Sequence, residues 1–239
     1  MNIYTNEKLI KRNTNIARGA SLAGLAVLIL GMVISFGKPE LVSLSFGALI
    51  LGFILSQVGI YFTNRWGRKP RPDELINKAL KGLDGKYSIY HYITPASHLL
   101  VGPAGIWILL VRHQRGEITF QKGRWRQKGG GPLQAYLRLF AQEGLGRPDL
   151  EIPAEIDGIT KYLKDKMPEG ELPPVQSALV FFNDKAELHF DEAEAPSAPT
   201  LMIGDLKEFV RKTAKAKPIS VDRATIIQQA LPGGVETQI

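Results

Sequence analysis

The sequence predicts an α/β domain preceded by a two-helix transmembrane hairpin. Two uncharged apolar runs, Ala20–Phe36 and Leu41–Phe62, lie close together near the N-terminus. After residue 72, short runs rich in β-branched and aromatic residues alternate with segments whose apolar residues recur every three or four positions. The third observation is where the charge sits. The chain has 239 residues and a formal net charge of +7. Residues 1–71 hold nine Lys or Arg and two acids, so the whole excess flanks the apolar runs and the remainder is neutral. A basic balance of that kind sets membrane topology and is no nucleic-acid signature for the domain that follows. A hydrophobic share of 44% excludes a disordered chain, and the absence of Cys excludes disulfides, thiolate zinc sites and cysteine nucleophiles.

The hairpin is justified by length. Roughly 20 apolar residues cross a hydrocarbon core about 30 Å thick. The second run fits easily and the first is at the short end. Gly37-Lys38-Pro39-Glu40 between them is a turn with a helix-breaking proline. The first run ends in bulky Phe36, which does not suit a cleaved signal peptide. Lys8, Lys11, Arg12 and Arg18 precede the first span, and Arg65, Arg68, Lys69 and Arg71 follow the second. The positive-inside rule therefore places both termini and the domain on the cytoplasmic side, and a plain hairpin suits a plasma (inner) membrane. Small residues recur at Ala20, Gly24, Gly31 and Ser35, and at Ala48, Gly52, Ser56 and Gly59. They are expected to pack the hairpin on itself rather than form a dimer seam.

The division expected is a basic N-terminus over 1–19, the hairpin over 20–63, a basic linker over 64–71, the α/β domain over 72–231 and a tail over 232–239. Within the domain, Asp73–Leu83 is amphipathic, with Leu75, Ile76, Ala79, Leu80 and Leu83 on one face. Lys86–Ile93 and His98–Val101 read as strands, joined to Ile106–Arg112 through the Gly102-Pro103-Ala104-Gly105 turn. Ile106–Arg112 is apolar almost throughout, as a strand buried on both faces would be. Glu117–Phe120 and Gly123–Gln127 form a hairpin, and Pro132–Gln142 a helix with Leu133, Tyr136, Leu137 and Phe140 on one side. Gly144–Ile152 reads as a break before a helix over Ala154–Lys166. Val175–Phe182 and Ala186–Phe190 are strands, Asp191–Pro199 an acidic loop, and Asp205–Thr213 and Val221–Leu231 helices.

Ser97–Phe120, SHLLVGPAGIWILLVRHQRGEITF, resembles the centre of the nuclease-related domain (NERD) family. His98, Gly102, Pro103, Gly105, Arg115 and Gly116 stand at the places of its Asp-His, Gly-Pro-x-Gly and Arg-Gly elements. Upstream, Glu74 matches the acid of the family's first helix. Downstream, GRWRQ, GGPLQAYLRLF and SALVFFNDKAEL look like its later segments, so the resemblance covers roughly 72–230. It implies a restriction-endonuclease-like mixed sheet flanked by helices. It also implies carboxylates that hold Mg²⁺ and a lysine that assists the attacking water. Here the acid position holds Ser97, and the Glu-x-Lys positions hold Leu110, Val111 and Arg112. Only Glu74 keeps a carboxylate. The resemblance therefore implies a degenerate site at Glu74, Ser97, Leu110 and Arg112. No catalytic residue, metal or cofactor is expected, and Mg²⁺ would enter only if a nuclease site had migrated.

Other chemistry is sparse. His91, His98, His113 and His189 are scattered, and His98 is expected to be a structural hydrogen-bonding residue. Gln127–Leu133 is glycine-rich but lacks the Gly-Lys-Ser/Thr end of a phosphate loop. The acids Asp184, Glu187, Asp191, Glu192 and Glu194 read as a solvated loop. Arg112, Arg115, Lys122, Arg124, Arg126 and Lys128 face a single acid, Glu117. By period two, Lys122, Arg124, Arg126 and Lys128 share one strand face with Trp125 on the other. Such a strip suits a solvated edge strand, anionic lipid, or phosphates with stacked bases. The expected function is a binding or scaffold module whose partner the sequence does not name. The bilayer is the first partner, followed by anionic lipid. Nucleic acid, bound without cleavage or cut at a migrated site, is the alternative and is not favoured.

Overall fold

The computed structural model describes residues 1–129, 144–167, 172–190, 195–196 and 198–233. The helix expected over Pro132–Gln142 and the acids Asp191, Glu192 and Glu194 lie outside the described residues. Two compact units divide the chain: Glu7–Arg71 belongs to one, and Met1–Asn6 joins Pro72–Gly130 and Leu145–Ile239 in the other.

The first unit is a helical hairpin. Helix α1 runs over Glu7–Gly37 and α2 over Val42–Phe62, followed by a π-helical turn at Thr63–Gly67. Both helices are long and apolar enough, by length and composition, to cross a membrane. At 1.5 Å per residue, the 31 residues of α1 extend about 46 Å. The helix therefore starts well before the apolar run, and takes in the basic residues expected to precede it. Its polar first turns are helical because they continue the packing of the apolar part. Buried positions recur every seventh residue: Ile10, Ala17, Gly24 and Gly31 on α1, and Ser45, Gly52, Gly59 and Trp66 on the return. A seven-residue repeat keeps one narrow seam facing its partner.

Glycine makes that seam close. A Cβ on Gly24 would stand 2.8 Å from the Ser56 backbone nitrogen, and one on Gly52 would stand 3.0 Å from the Leu28 nitrogen. Ser45 Oγ donates to the Gly31 carbonyl at 2.8 Å, and Thr14 Oγ1 to the Trp66 carbonyl at 3.2 Å. The expected self-packing holds for the four glycines, whereas Ser35 faces outward. Outward faces carry Leu22, Leu25, Phe36, Val42, Phe46 and Ile54, all exposed.

The second unit is a three-layer α/β arrangement. Its main sheet contains β1 (Asn2–Thr5), β2 (Ser88–His91), β3 (His98–Gly102), β4 (Gly105–Arg112), β7 (Val175–Phe181) and β9 (Thr200–Met202), in that spatial order. The β1–β2, β4–β7 and β7–β9 pairs are parallel, and the β2–β3–β4 meander is antiparallel. A smaller sheet has the order β6 (Arg124–Lys128), β5 (Gly116–Gln121), β8 (Ala186–Phe190). Among the described residues, four helices accompany the sheets: α3 (Pro72–Ala79), α4 (Pro148–Lys166), α5 (Leu206–Ala216) and α6 (Val221–Ala230).

Alternation along β4 sorts the two cores. Ile106, Ile108 and Leu110 join Tyr90, Leu99 and Val101 in a cluster closed by Ile152, Ile159 and Leu163 of α4 and Ile227 of α6. Trp107 and Leu109 point the other way, into a cluster with Ile89, Leu100 and Val180 under Ile76 of α3 and Leu206 and Val210 of α5. The small sheet adds Ile118 and Trp125 to the first cluster.

Four boundaries differ from the sequence reading. Residues 1–6 belong to the α/β unit, where the reading assigned them to a basic N-terminus outside the domain. Asn2–Thr5 is too short to show a period, and only its partner β2 makes it a strand. Helix α4 starts at Pro148, inside the segment read as a break. Proline suits a first helical position, and Asp149 and Glu151 favour the N-terminal end of the helix dipole. Helix α3 ends at Ala79, although Leu80 and Leu83 stay buried through the following turn, where Gly82 takes φ +85°. Strand β9 follows the acidic loop, and its side chains are only half-buried.

Two outcomes test this architecture. Tyr4 of β1 stacks on buried Tyr90 with ring centroids 5.0 Å apart. Tyr4→Ala is expected to lower unfolding stability by at least about 1 kcal/mol in a urea titration of the detergent-solubilised chain. Gly24→Val is expected to push the hairpin helices apart, because two of its three nearest neighbours, Ser56 N and Gly52 O, are backbone atoms that cannot swing away. Distances between single spin labels on α1 and α2 would report the change, and unchanged distances would refute the close seam.

Candidate functional site

Glu74 and Leu110 lie on elements that serve opposite faces of the main sheet. Glu74 rides on α3, the helix that covers one face of the main sheet. Leu110 points to the opposite face and is 4% exposed inside the core. Arg112, two residues on, shares that second face and meets α4. Its Nη2 makes a short ion pair with Glu151 Oε2. Ser97 lies in the connection between β2 and β3, where its carbonyl accepts from Tyr92 N at 2.9 Å. Among the described residues, no group of three or more His, Asp or Glu is placed to hold a metal ion.

The Arg112–Glu151 pair is structural in its surroundings. The Arg112 side chain is 16% exposed and that of Glu151 42%. Nη1 also donates to the Val111 carbonyl at 3.3 Å, while Nε is buried without a hydrogen-bond partner. Glu151 Oε1 reaches back to the Arg147 amide at 3.4 Å, at the start of α4. The pair thus pins the end of β4 to the first turn of α4. Arg112 is thus engaged by α4, whereas the other basic residues of the strip lie on or beside the small sheet.

The remaining strip is divided. Arg124, Arg126 and Lys128 are exposed on β6, an edge strand in the described topology. Trp125 between them is buried, packed edge-on against Phe120 and Phe190 with centroids 5.2 and 5.6 Å away. The alternation expected from period two holds for the strand. Lys122 instead lies in the β5–β6 turn with φ +52°, next to Gly123 at +70°. Arg115 precedes β5, where its carbonyl accepts from Gln127 Nε2 at 3.0 Å. Across the sheet Glu117 stands opposite Lys128, Thr119 opposite Arg126 and Gln121 opposite Arg124, with Gln121 exposed and Thr119 buried. On β8, Glu187 and His189 follow, 3.6 Å apart. At the adjoining start of α4, Arg147 holds the Asp149 carboxyl below the ordinary aspartate range through hydrogen bonds, and Arg124 adds to the field.

A polar chain that the sequence reading missed crosses the α3 side of the sheet. His91 and His98 are cross-strand partners in the β2–β3 register, both buried, with their Nδ1 atoms 2.9 Å apart. His91 Nε2 lies 3.0 Å from Asn77 Oδ1 on α3. His98 is a hydrogen-bonding residue of the hairpin, as expected, but the histidines are not all scattered. The same corner binds the start of the chain: Asn6 N donates to the His91 carbonyl at 3.0 Å and Asn6 Nδ2 to the Tyr92 carbonyl at 3.2 Å. Burial pushes the neighbouring Tyr90 hydroxyl well above its usual range.

Compared with protein-family models, curated proteins and solved structures, the chain matches none of them.

Removing Glu151 strands a largely buried guanidinium, whereas removing Arg112 leaves a half-exposed carboxylate that water can reach. Glu151→Ala is therefore expected to cost about 1–3 kcal/mol in a denaturant titration, and Arg112→Met less. Equal losses would show that burial does not govern the pair.

Proposed function

We propose that this protein is a membrane-anchored binding or scaffold module, with its α/β unit on the cytoplasmic side and without nuclease activity. The observation that supports the reading is that Leu110 is packed in one core, whereas Glu74 rides on α3, whose Ile76 enters the core on the other face of the sheet. A divalent metal needs oxygen ligands converging on one point, and magnesium is usually held by one or two carboxylates. Leu110 supplies none, and the Arg112 side chain is engaged by Glu151. A degenerate NERD-like, restriction-endonuclease-like domain accounts for the Gly-Pro-x-Gly hairpin without its chemistry. Chemistry alone does not name the partner.

Topology supports the anchor independently of the charge rule. Strand β1 precedes the hairpin and β2 follows it, yet the two pair in parallel in one sheet. A chain that crosses a bilayer twice between them brings both ends back to one side. The basic flanks, Lys8 to Arg18 and Arg65 to Arg71, make that side the cytoplasmic one.

The test uses the full chain in detergent, because a fragment beginning at Pro72 would lack β1. Linear and circular DNA and RNA are expected to stay uncut with Mg²⁺ or Mn²⁺. Cleavage abolished by Glu74→Ala would overturn the reading and restore an enzyme.

A further inference from the structure

We infer that the exposed face of β6, with Leu150 beside it at the start of α4, docks onto anionic phospholipid headgroups. The inference rests on the membrane-anchored reading above and names the surface that the reading leaves open. Arg124, Arg126 and Lys128 point to the same side of an edge strand, spaced about 6.6 Å apart by the two-residue repeat. All three are exposed, and Glu117 opposite Lys128 is the nearest acid in the strand register. Next to them, α4 begins with Asp149 neutralised by Arg147, so that turn adds no net negative charge. Leu150 follows, 59% exposed, the most exposed large apolar side chain among the described residues of the α/β unit. A row of cations beside a protruding leucine is the chemistry of a lipid-surface contact.

Lipid fits this face better than nucleic acid does. Sequence-tolerant binding of single strands relies on aromatic platforms. Trp125, the aromatic residue of the strip, is buried on the far side. Among the described residues, no Phe, Tyr or Trp stands with Arg124, Arg126 and Lys128 on the exposed face. The chain also keeps the unit close to any bilayer that the hairpin crosses. Asn6 alone separates β1 from α1, and residues 68–71, between the hairpin and α3, reach at most about 14 Å. Tethering at that distance raises the effective headgroup concentration, so a weak surface contact is enough.

The experiment uses the full chain reconstituted in vesicles. The protein has no cysteine, so Gln121→Cys, opposite Arg124 in the register, carries a single fluorophore on the same face. With phosphatidylglycerol mixed into phosphatidylcholine, headgroup-labelled lipid is expected to quench it, and added salt to relieve the quenching. Each basic residue at an anionic surface is worth roughly fivefold, so Arg124→Gln, Arg126→Gln and Lys128→Gln together should lower the docked-to-undocked ratio about a hundredfold. Leu150→Ser should lower it less, with no change in the melting of the fold. Equal quenching in pure phosphatidylcholine, or no effect of the triple change, overturns the inference. So does a label that responds to a single-stranded oligonucleotide and not to vesicle composition. Flotation of the same protein with vesicles reads the anchor separately. No flotation sinks the anchored reading, whereas flotation without composition-dependent quenching sinks only the docking.

Discussion

Burial of β4 on both faces is the constraint from which most of the α/β unit follows. A strand in that position must be apolar at successive residues, because each alternate side chain enters a different core. Ile106, Ile108 and Leu110 enter one, and Trp107 and Leu109 the other. Polar chemistry is tolerated only where the strand emerges, at Arg112, and there the charge is met at once by Glu151. A glutamate at position 110 would have to ionise among Ile152, Leu163 and Phe181, at a desolvation penalty of several kcal/mol. Position 110 is thus committed to packing.

The hairpin stands in a different relation to the sheet from an ordinary N-terminal anchor. It sits within a parallel strand connection, between β1 and β2. Asn6 ties the exit point to the His91 and Tyr92 carbonyls, and His91 continues through Asn77 to α3, the helix by which the chain re-enters the unit. Both ends of the insertion are therefore held at one corner by hydrogen bonds, while the seam of Gly24, Gly31, Gly52 and Gly59 holds the insertion together. The hairpin and the α/β unit each have their own cohesion.

What the sequence made legible was what has a period. The apolar runs, the β4 strand, the β5–β6 hairpin and the alternation of Arg124, Trp125 and Arg126 all follow from spacing. Features shorter than a period, or made by tertiary pairing, did not show. Asn2–Thr5 has two side chains per face, too few to reveal alternation. His91 and His98 become neighbours only through a strand register that the sequence does not state. The start of α4 was hidden by prolines and glycines that usually punctuate loops, although Pro148 stands where a helix accepts it. Of the residues singled out for chemistry, Arg124, Arg126 and Lys128 kept the placement that spacing gave them. Lys122 did not, because it falls in the β5–β6 turn at φ +52°, and the pairing of Arg112 with Glu151, 39 residues away, depends on how α4 packs.

The β1–β2 pairing also sets a schedule. Asn2 and Ser88 are 86 residues apart along the chain, yet they are register partners. At about 5–20 residues per second, a ribosome needs roughly 4–17 seconds to make the intervening chain. Throughout that interval β1 exists without its partner, while the whole hairpin is synthesised and α3 follows. Strand β1 thus waits for a partner that is made only after both apolar helices, and the β1–β2 pair can form before the β4–β7 and β7–β9 pairs, whose strands come later still. An edge strand of four residues, with Asn2 and Ile3 still exposed in the finished sheet, is short enough to wait in water without a hydrophobic face to hide.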